Sequence, residues 1–285
     1  MSAPAHSTDR YGARIPQSPV ILSVPHAGRD YPAALLAAIR VPVTALLALE
    51  DRHVDLLALA ARGTETLLIQ RPARAWIDLN RAEYERDPKL DDGADPARQP
   101  AMSAKLRSGL GLIPRRLATT GDIWRKRLSD AEVTARIVAD HRPYHAMLAE
   151  LLAAAQARFG VAVLLDIHSM PPIGLPGEAA QLVFGDRFGK SAGTRFVARL
   201  EAEAEAAGIA HALNSPYSGG HILDRHAQPG AGIHAVQIEF DRTLYLDDVL
   251  ESPGPGFAAT ATLLRRMVAA ITDEAFASTS AIAAE

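Results

Sequence analysis

Apolar residues are distributed along this chain in two distinct ways. Four short runs, at 20–24, 66–69, 161–167 and 235–240, carry branched residues with almost no polar interruption. That is the pattern of strands buried on both faces. Two longer windows, 130–157 and 191–207, repeat apolar residues at intervals of three and four with polar residues between them, which predicts amphipathic helices. The stretches 75–79 and 181–184 are shorter and predict two further strands. Strands alternating with helices predict an α/β fold whose sheet is covered on both faces. In open α/β sheets ligands bind beyond the carboxyl ends of the strands, so the residues that follow each run are where chemistry is expected.

The 285 residues are read as a single hydrolase domain over 1–285, with flexible tails at 1–17 and 278–285. Segment 80–127 scatters charges, Gly and Pro without a period and is expected to be an insertion beside the site. A chain of this length buries roughly three quarters of the surface its unfolded form exposes. It needs no metal to hold it together, and any metal is expected to be catalytic. The formal charge of −3 offers no basic field for nucleic acid. No cysteine is present, so metal ligands must come from histidine and carboxylate, which fits a reducing compartment. Residues 1–17 lack the apolar centre of a secretory signal, and no apolar run reaches the roughly 18 to 20 residues that span a membrane. The expected location is the cytoplasm, without a membrane partner.

Four strand ends carry candidate groups. Val24-Pro25-His26-Ala27-Gly28 places a histidine on a turn directly after the first run, where glycine permits close backbone approach. In Asp166-Ile167-His168, residues two apart on a strand share a face, so the carboxylate can orient the imidazole. A catalytic zinc takes three protein ligands, and the third is sought in Glu50-Asp51-Arg52-His53-Val54-Asp55. Asp51 is preferred and Asp55 is second. Asp51 also stands where an N-cap of the apolar helical run 56–61 would be. The last strand carries Gln237 and Glu239 on one face, and a carboxylate beside a metal-bound water serves as general base. Residues 75–79 run into Asn80-Arg81, which offer a planar receptor for a substrate carboxylate, with Arg74 available to an oxyanion, although on the residues alone these arginines rank as ordinary salt-bridge residues. His211, His221, His226 and His234 fall within 24 residues and read as loop residues lining the same cleft, with Arg225 and His226 touching substrate. For His141 and His145, one helical turn apart, a packing role is expected.

Taken in order, Val-Pro-His-Ala-Gly at 24–28, Glu-Asp-x-x-Val-Asp at 50–55, Ile-Asp-Leu-Asn-Arg at 77–81, Pro-Tyr-His at 143–145, Asp-x-His-Ser at 166–169 and Gln-Ile-Glu at 237–239 resemble the N-formylglutamate amidohydrolase family. The resemblance runs from Pro19 to Leu246. It implies a zinc-carboxypeptidase-like three-layer α/β/α sandwich with a mixed central sheet. The implied reaction is hydrolysis of N-formyl-L-glutamate to formate and glutamate in histidine degradation. By that resemblance His26 and His168 are metal ligands, Glu239 the base, Asn80 and Arg81 the carboxylate receptor, and Arg74 the oxyanion group. The chain departs from aspartoacylases and carboxypeptidases at Arg29, where those proteins place a ligand glutamate three residues after the first histidine.

The expected cofactor is one Zn2+ held by His26, Asp51 and His168, with another divalent metal as the alternative. The expected partner is a small N-acyl amino acid. Two rival readings are a zinc amidase acting on a different N-acyl or peptidoglycan-type amide, and a non-catalytic homologue that binds a carboxylate ligand.

Overall fold

The four branched runs fold as strands whose residues are buried almost throughout. The computed structural model describes residues 7–95, 97, 104–174 and 179–282. Its elements are β1 (Thr8–Tyr11), β2 (Val20–Val24), α1 (Ala33–Ala38), α2 (Val54–Ala61), β3 (Thr66–Gln70), α3 (Ala104–Arg107), β4 (Arg116–Leu117), β5 (Gly121–Asp122), α4 (Asp130–Arg136), α5 (Arg142–Phe159), β6 (Ala162–Met170), β7 (Leu182–Gly185), α6 (Thr194–Ala206), β8 (His211–Leu213), α7 (His221–His226), β9 (Ile233–Asp241) and α8 (Phe257–Ile282). A π-helical turn, Ile137–His141, joins α4 to α5.

The main sheet has the order β1-β3-β2-β6-β9-β7-β8. β2, β3, β6 and β9 run parallel, and β7 is antiparallel to β9. The mixed α/β sheet expected from the sequence is therefore present. The described residues divide into two compact units, one within 7–9, Pro25–Glu50 and Gln70–Ala146 and the other within Arg10–Val24, Asp51–Ile69 and 147–282.

In the second unit, α2 and α8 pack on each other and on β2 and β6, and α6 packs on α8, β7 and β8. The core is aliphatic: Ile21, Leu22, Leu57, Leu164, Leu165, Val236, Leu264 and Ile271 are all fully buried. α6 buries Phe196, Val197, Leu200 and Ala204, a stripe at the three-and-four spacing read from the sequence. α8 was not foreseen, and its backbone continues to Ile282, past position 278.

In the first unit, α4 opens with a capping box in which Ser129 and Glu132 satisfy each other's backbone N–H groups. Segment 80–127, outside the undescribed positions 96 and 98–103, contains α3 and the small sheet of β4 and β5. Several of its scattered charges are paired: Arg86 meets Asp91 at 2.5 Å, and Arg115 meets Asp87 at 2.7 Å and Asp122 at 2.8 Å.

Two sequence expectations fail here. Residues 75–79 form no strand; Trp76 N–H closes a turn onto Ala73 O and Asp78 N–H reaches Leu112 O. The stretch is buried, and burial of a turn produces the same apolar pattern as burial of a strand. The four histidines expected in loops lie mostly in regular structure, His211 on β8, His221 and His226 at the two ends of α7 and His234 on β9. His234 accepts the Gly193 N–H at the start of α6, 3.3 Å away, through Nδ1. Burial, helped by the charge of Arg195, lowers its pKa to about 4. Among the described residues no helix is long and apolar enough to cross a membrane.

Candidate active site

The register of the parallel strands sets the polar face of the sheet. Ser23 of β2 pairs with Asp166 of β6, Asp166 with Gln237 of β9, and His168 with Glu239. Side chains alternate along a strand, so these residues lie in two successive rows across neighbouring strands. All five are buried, and buried polar groups must find partners. His168 Nε2 bonds Asp166 Oδ2 at 2.9 Å and His168 Nδ1 bonds Asp51 Oδ2 at 2.9 Å. The other Asp166 oxygen accepts the Ser23 hydroxyl at 2.6 Å. Gln237 donates to Glu239 Oε1 at 2.9 Å.

A carboxylate on each ring nitrogen favours the cationic form of the His168 imidazole. Its pKa stands well above the ordinary value: burial opposes the charge, but Asp166, Asp51 and Glu239 outweigh it. This donor set suits a divalent cation, with one imidazole nitrogen and one carboxylate oxygen side by side. The other imidazole nitrogen is held by a carboxylate that is itself hydrogen-bonded, as is usual behind a metal-ligating histidine.

Asp51 does not cap α2. His53 occupies the N-cap position in a left-handed conformation, φ 57°, which leaves the Asp51 side chain directed to His168. Of the alternatives weighed with Asp51, Glu50 accepts the Tyr31 hydroxyl and Asp55 lies in the first turn of α2. Arg242, immediately beyond β9, was not singled out from the sequence. Its Nη2 stands 4.0 Å from Asp51 Oδ1 and its Nε donates to Ser169 Oγ at 3.4 Å. Of the two residues expected to touch substrate from α7, His226 is buried and Arg225 is exposed.

The first unit holds His26, Arg74, Asn80 and Arg81. They gather around Asp78, which is fully buried. Asp78 Oδ1 bonds His26 Nε2 at 2.8 Å and accepts the Asn80 N–H at 2.8 Å. Its Oδ2 takes Arg74 Nη2 at 2.8 Å and stands 3.9 Å from Arg81 Nη2. Burial alone would raise the pKa of this carboxyl, but Arg74, Arg81 and His26 hold it well below the usual range. The role of Asp78 as the common partner of these groups went unforeseen. Its place two residues before Asn80 was the available signal.

Gly28 follows His26 closely, and a Cβ there would lie 2.3 Å from Pro72 O and 2.4 Å from Arg71 O. Glycine is therefore required by backbone contact, and the same backbone is tied down by Asp30 N–H to Arg71 O at 3.0 Å. Gly28→Ala is expected to cost about 1–3 kcal/mol through overpacking that no rotamer relieves, read as a lower unfolding midpoint. An unchanged midpoint would mean that the turn yields freely.

A family model described as N-formylglutamate amidohydrolase matches residues 18–246. The chain is 31% identical over 236 residues to an N-formylglutamate deformylase of Pseudomonas aeruginosa, covering 81% of this chain and 83% of that protein. It is also 31% identical over 235 residues to an N-formylglutamate deformylase of Pseudomonas putida, covering 81% and 82%. A crystal structure of N-formylglutamate amidohydrolase from Ralstonia eutropha JMP134 superposes with a TM-score of 0.84 at 32% identity, covering 95% of this chain and 98% of that one.

Proposed function

Because the chain belongs to the N-formylglutamate amidohydrolase family, we propose that it is a zinc-dependent enzyme that hydrolyses N-formyl-L-glutamate to formate and L-glutamate. The observation that carries this reading is the placement of His168 between Asp51 and Asp166, with Glu239 in register beside it. Relatives named N-formylglutamate deformylase support the substrate.

His26, Asp51 and His168 are the proposed ligands, a set of imidazole and carboxylate donors that suits zinc. When bound, the ion would lower the pKa of water and polarise the formyl carbonyl. Glu239 takes a proton from the attacking water and delivers it to the amine nitrogen as the C–N bond breaks. Gln237, donating to Glu239 Oε1, holds that carboxylate in one orientation. Asp166 keeps His168 in a fixed ring position and is itself fixed by Ser23.

Arg74 is assigned to the oxyanion and Asn80 with Arg81 to a substrate carboxylate. Nη2 of the buried Arg81 has no hydrogen-bond partner among the described residues, while Nε and Nη1 are spent on Leu110 O and Asn80 O. Although Nη2 is ion-paired with Asp78 at 3.9 Å, it keeps its hydrogen-bond donors for an incoming anion. Arg225 and His226, at the end of α7, are assigned to further substrate contacts.

The deciding experiment assays formate release from N-formyl-L-glutamate by the purified protein with its metal content measured. Turnover lost on chelation and restored by Zn2+ is the expected result. Stoichiometric metal without formate release would reject the substrate, and full turnover in metal-free protein would reject the zinc.

A further inference from the structure

The segment from Trp76 to Arg81 has neither helix nor strand, yet Ile77, Asp78, Leu79, Asn80 and Arg81 are all buried. Backbone carbonyls buried in this way must find donors, and only Asn80 O is seen to take one from within the segment, Arg81 Nη1. One helical face supplies donors to three others. Arg136 Nη1 donates to Trp76 O at 3.0 Å, His145 Nε2 to Leu79 O at 3.0 Å and His141 Nε2 to Arg81 O at 2.8 Å. Asp140 adds a side-chain bond by accepting Trp76 Nε1–H at 2.8 Å. Both histidines are fully buried, and their rings stand 4.4 Å apart. A carbonyl can only accept, so each Nε2 carries a proton.

The two carbonyls held by histidine flank Asn80. They belong to the Leu79–Asn80 and Arg81–Ala82 peptides, one on each side of the Asn80–Arg81 peptide, so together they constrain the direction in which both side chains leave the backbone. His141 reaches this position from the π-helical turn Ile137–His141, and such turns are frequent at functional sites.

We propose that His141 and His145 are positioning residues for substrate recognition: through the Leu79 and Arg81 carbonyls they aim Asn80 and Arg81 at the substrate carboxylate. The inference rests on the assignment of Asn80 and Arg81 to that carboxylate. It replaces the packing role expected for the two histidines with a directional one. A shell that holds binding groups to within a fraction of an ångström is what such recognition requires.

The test compares His145→Phe, His145→Gln and Arg81→Ala, singly and as the His145→Phe/Arg81→Ala pair. Each is assayed with N-formyl-L-glutamate alongside metal content and thermal unfolding. Phenylalanine keeps a ring but cannot donate, whereas glutamine restores an N–H donor. The expected result is a KM raised about tenfold to a hundredfold in His145→Phe, the range that a misplacement of about 1 Å produces, with kcat and metal content nearly unchanged. Glutamine should recover most of the loss, and the double variant should be little worse than Arg81→Ala alone. A folded His145→Phe with unaltered KM would overturn the proposal. So would kcat and unfolding midpoint falling together without rescue by glutamine, the signature of a merely structural role. Should His145→Phe fail to fold, His141→Phe, which unties only the Arg81 carbonyl, is read by the same measures. If Arg81→Ala itself leaves KM unaltered, the carboxylate assignment fails, and that outcome is distinct from a failure of the histidines alone.

Discussion

Glu239→Gln is expected to lower kcat by about a hundredfold to ten-thousandfold, the contribution usual for a positioned acid–base group, while leaving metal content as in the parent protein. The substitution preserves volume and removes only the basic oxygens. Glu239 sits in a strand whose residues are almost all buried and is paired in register with His168, whose raised pKa its charge helps to sustain. Steady-state formate release and metal analysis on the same preparation check it. Undiminished turnover with metal bound would remove Glu239 from the chemistry.

The second large effect concerns His168. His168→Ala is expected to abolish stoichiometric metal and turnover together, and Asp166→Asn to weaken metal affinity about tenfold to a hundredfold, as loss of a carboxylate behind a ligand histidine does. A pH dependence follows. Without metal the cationic form of His168 is favoured: burial opposes it, but Asp166, Asp51 and Glu239 raise its pKa well above the usual value. A ligand histidine must be neutral, so metal loading expels this proton. Apparent affinity should climb by about tenfold per pH unit until the elevated pKa is passed.

The linked stability effect has the opposite direction. Because the folded pKa is raised above the unfolded one, this interaction stabilises the metal-free fold fully below pH ~6.5. The contribution is lost as pH rises through the folded pKa. Calorimetry in buffers of different ionisation enthalpy would count the released proton, and absence of proton release would contradict the protonated state assigned to His168.

The chemistry-bearing strands were legible because they are covered on both faces, so their apolar residues run without interruption and the polar residues at their ends stand out. The runs that form β2, β6 and β9 were each recognised, and the period of two put Asp166 with His168 and Gln237 with Glu239 on shared faces, as the strands carry them. The stretch 75–79 was misread for a reason of the same kind. Side chains of a distant helix face satisfy its carbonyls, so it is buried and apolar without pairing in a sheet. Asp51 resembled a helix cap because it precedes an apolar helical run; the left-handed His53 takes that place, and a sequence carries no mark of φ.

The partners of the polar groups were least legible. His26 meets Asp78 across 52 residues, His168 meets Asp51 across 117 and Ser23 meets Asp166 across 143. Such pairings exist only once the fold has brought the strands together. α8 escaped because its run of Ala and Thr, Ala258-Ala259-Thr260-Ala261-Thr262, blurs the contrast between its two faces.

The alignment of β2, β6 and β9 also constrains how this protein can diverge. A single-residue insertion or deletion inside β6 or β9 would turn Asp166, His168, Gln237 or Glu239 to the opposite face of the sheet, because side chains alternate with a period of two. Length variation is therefore expected outside β6 (Ala162–Met170) and β9 (Ile233–Asp241) rather than within them. Asp166, His168, Gln237 and Glu239 are thereby held to change as a set, while the segments that begin where the strands stop are free to vary.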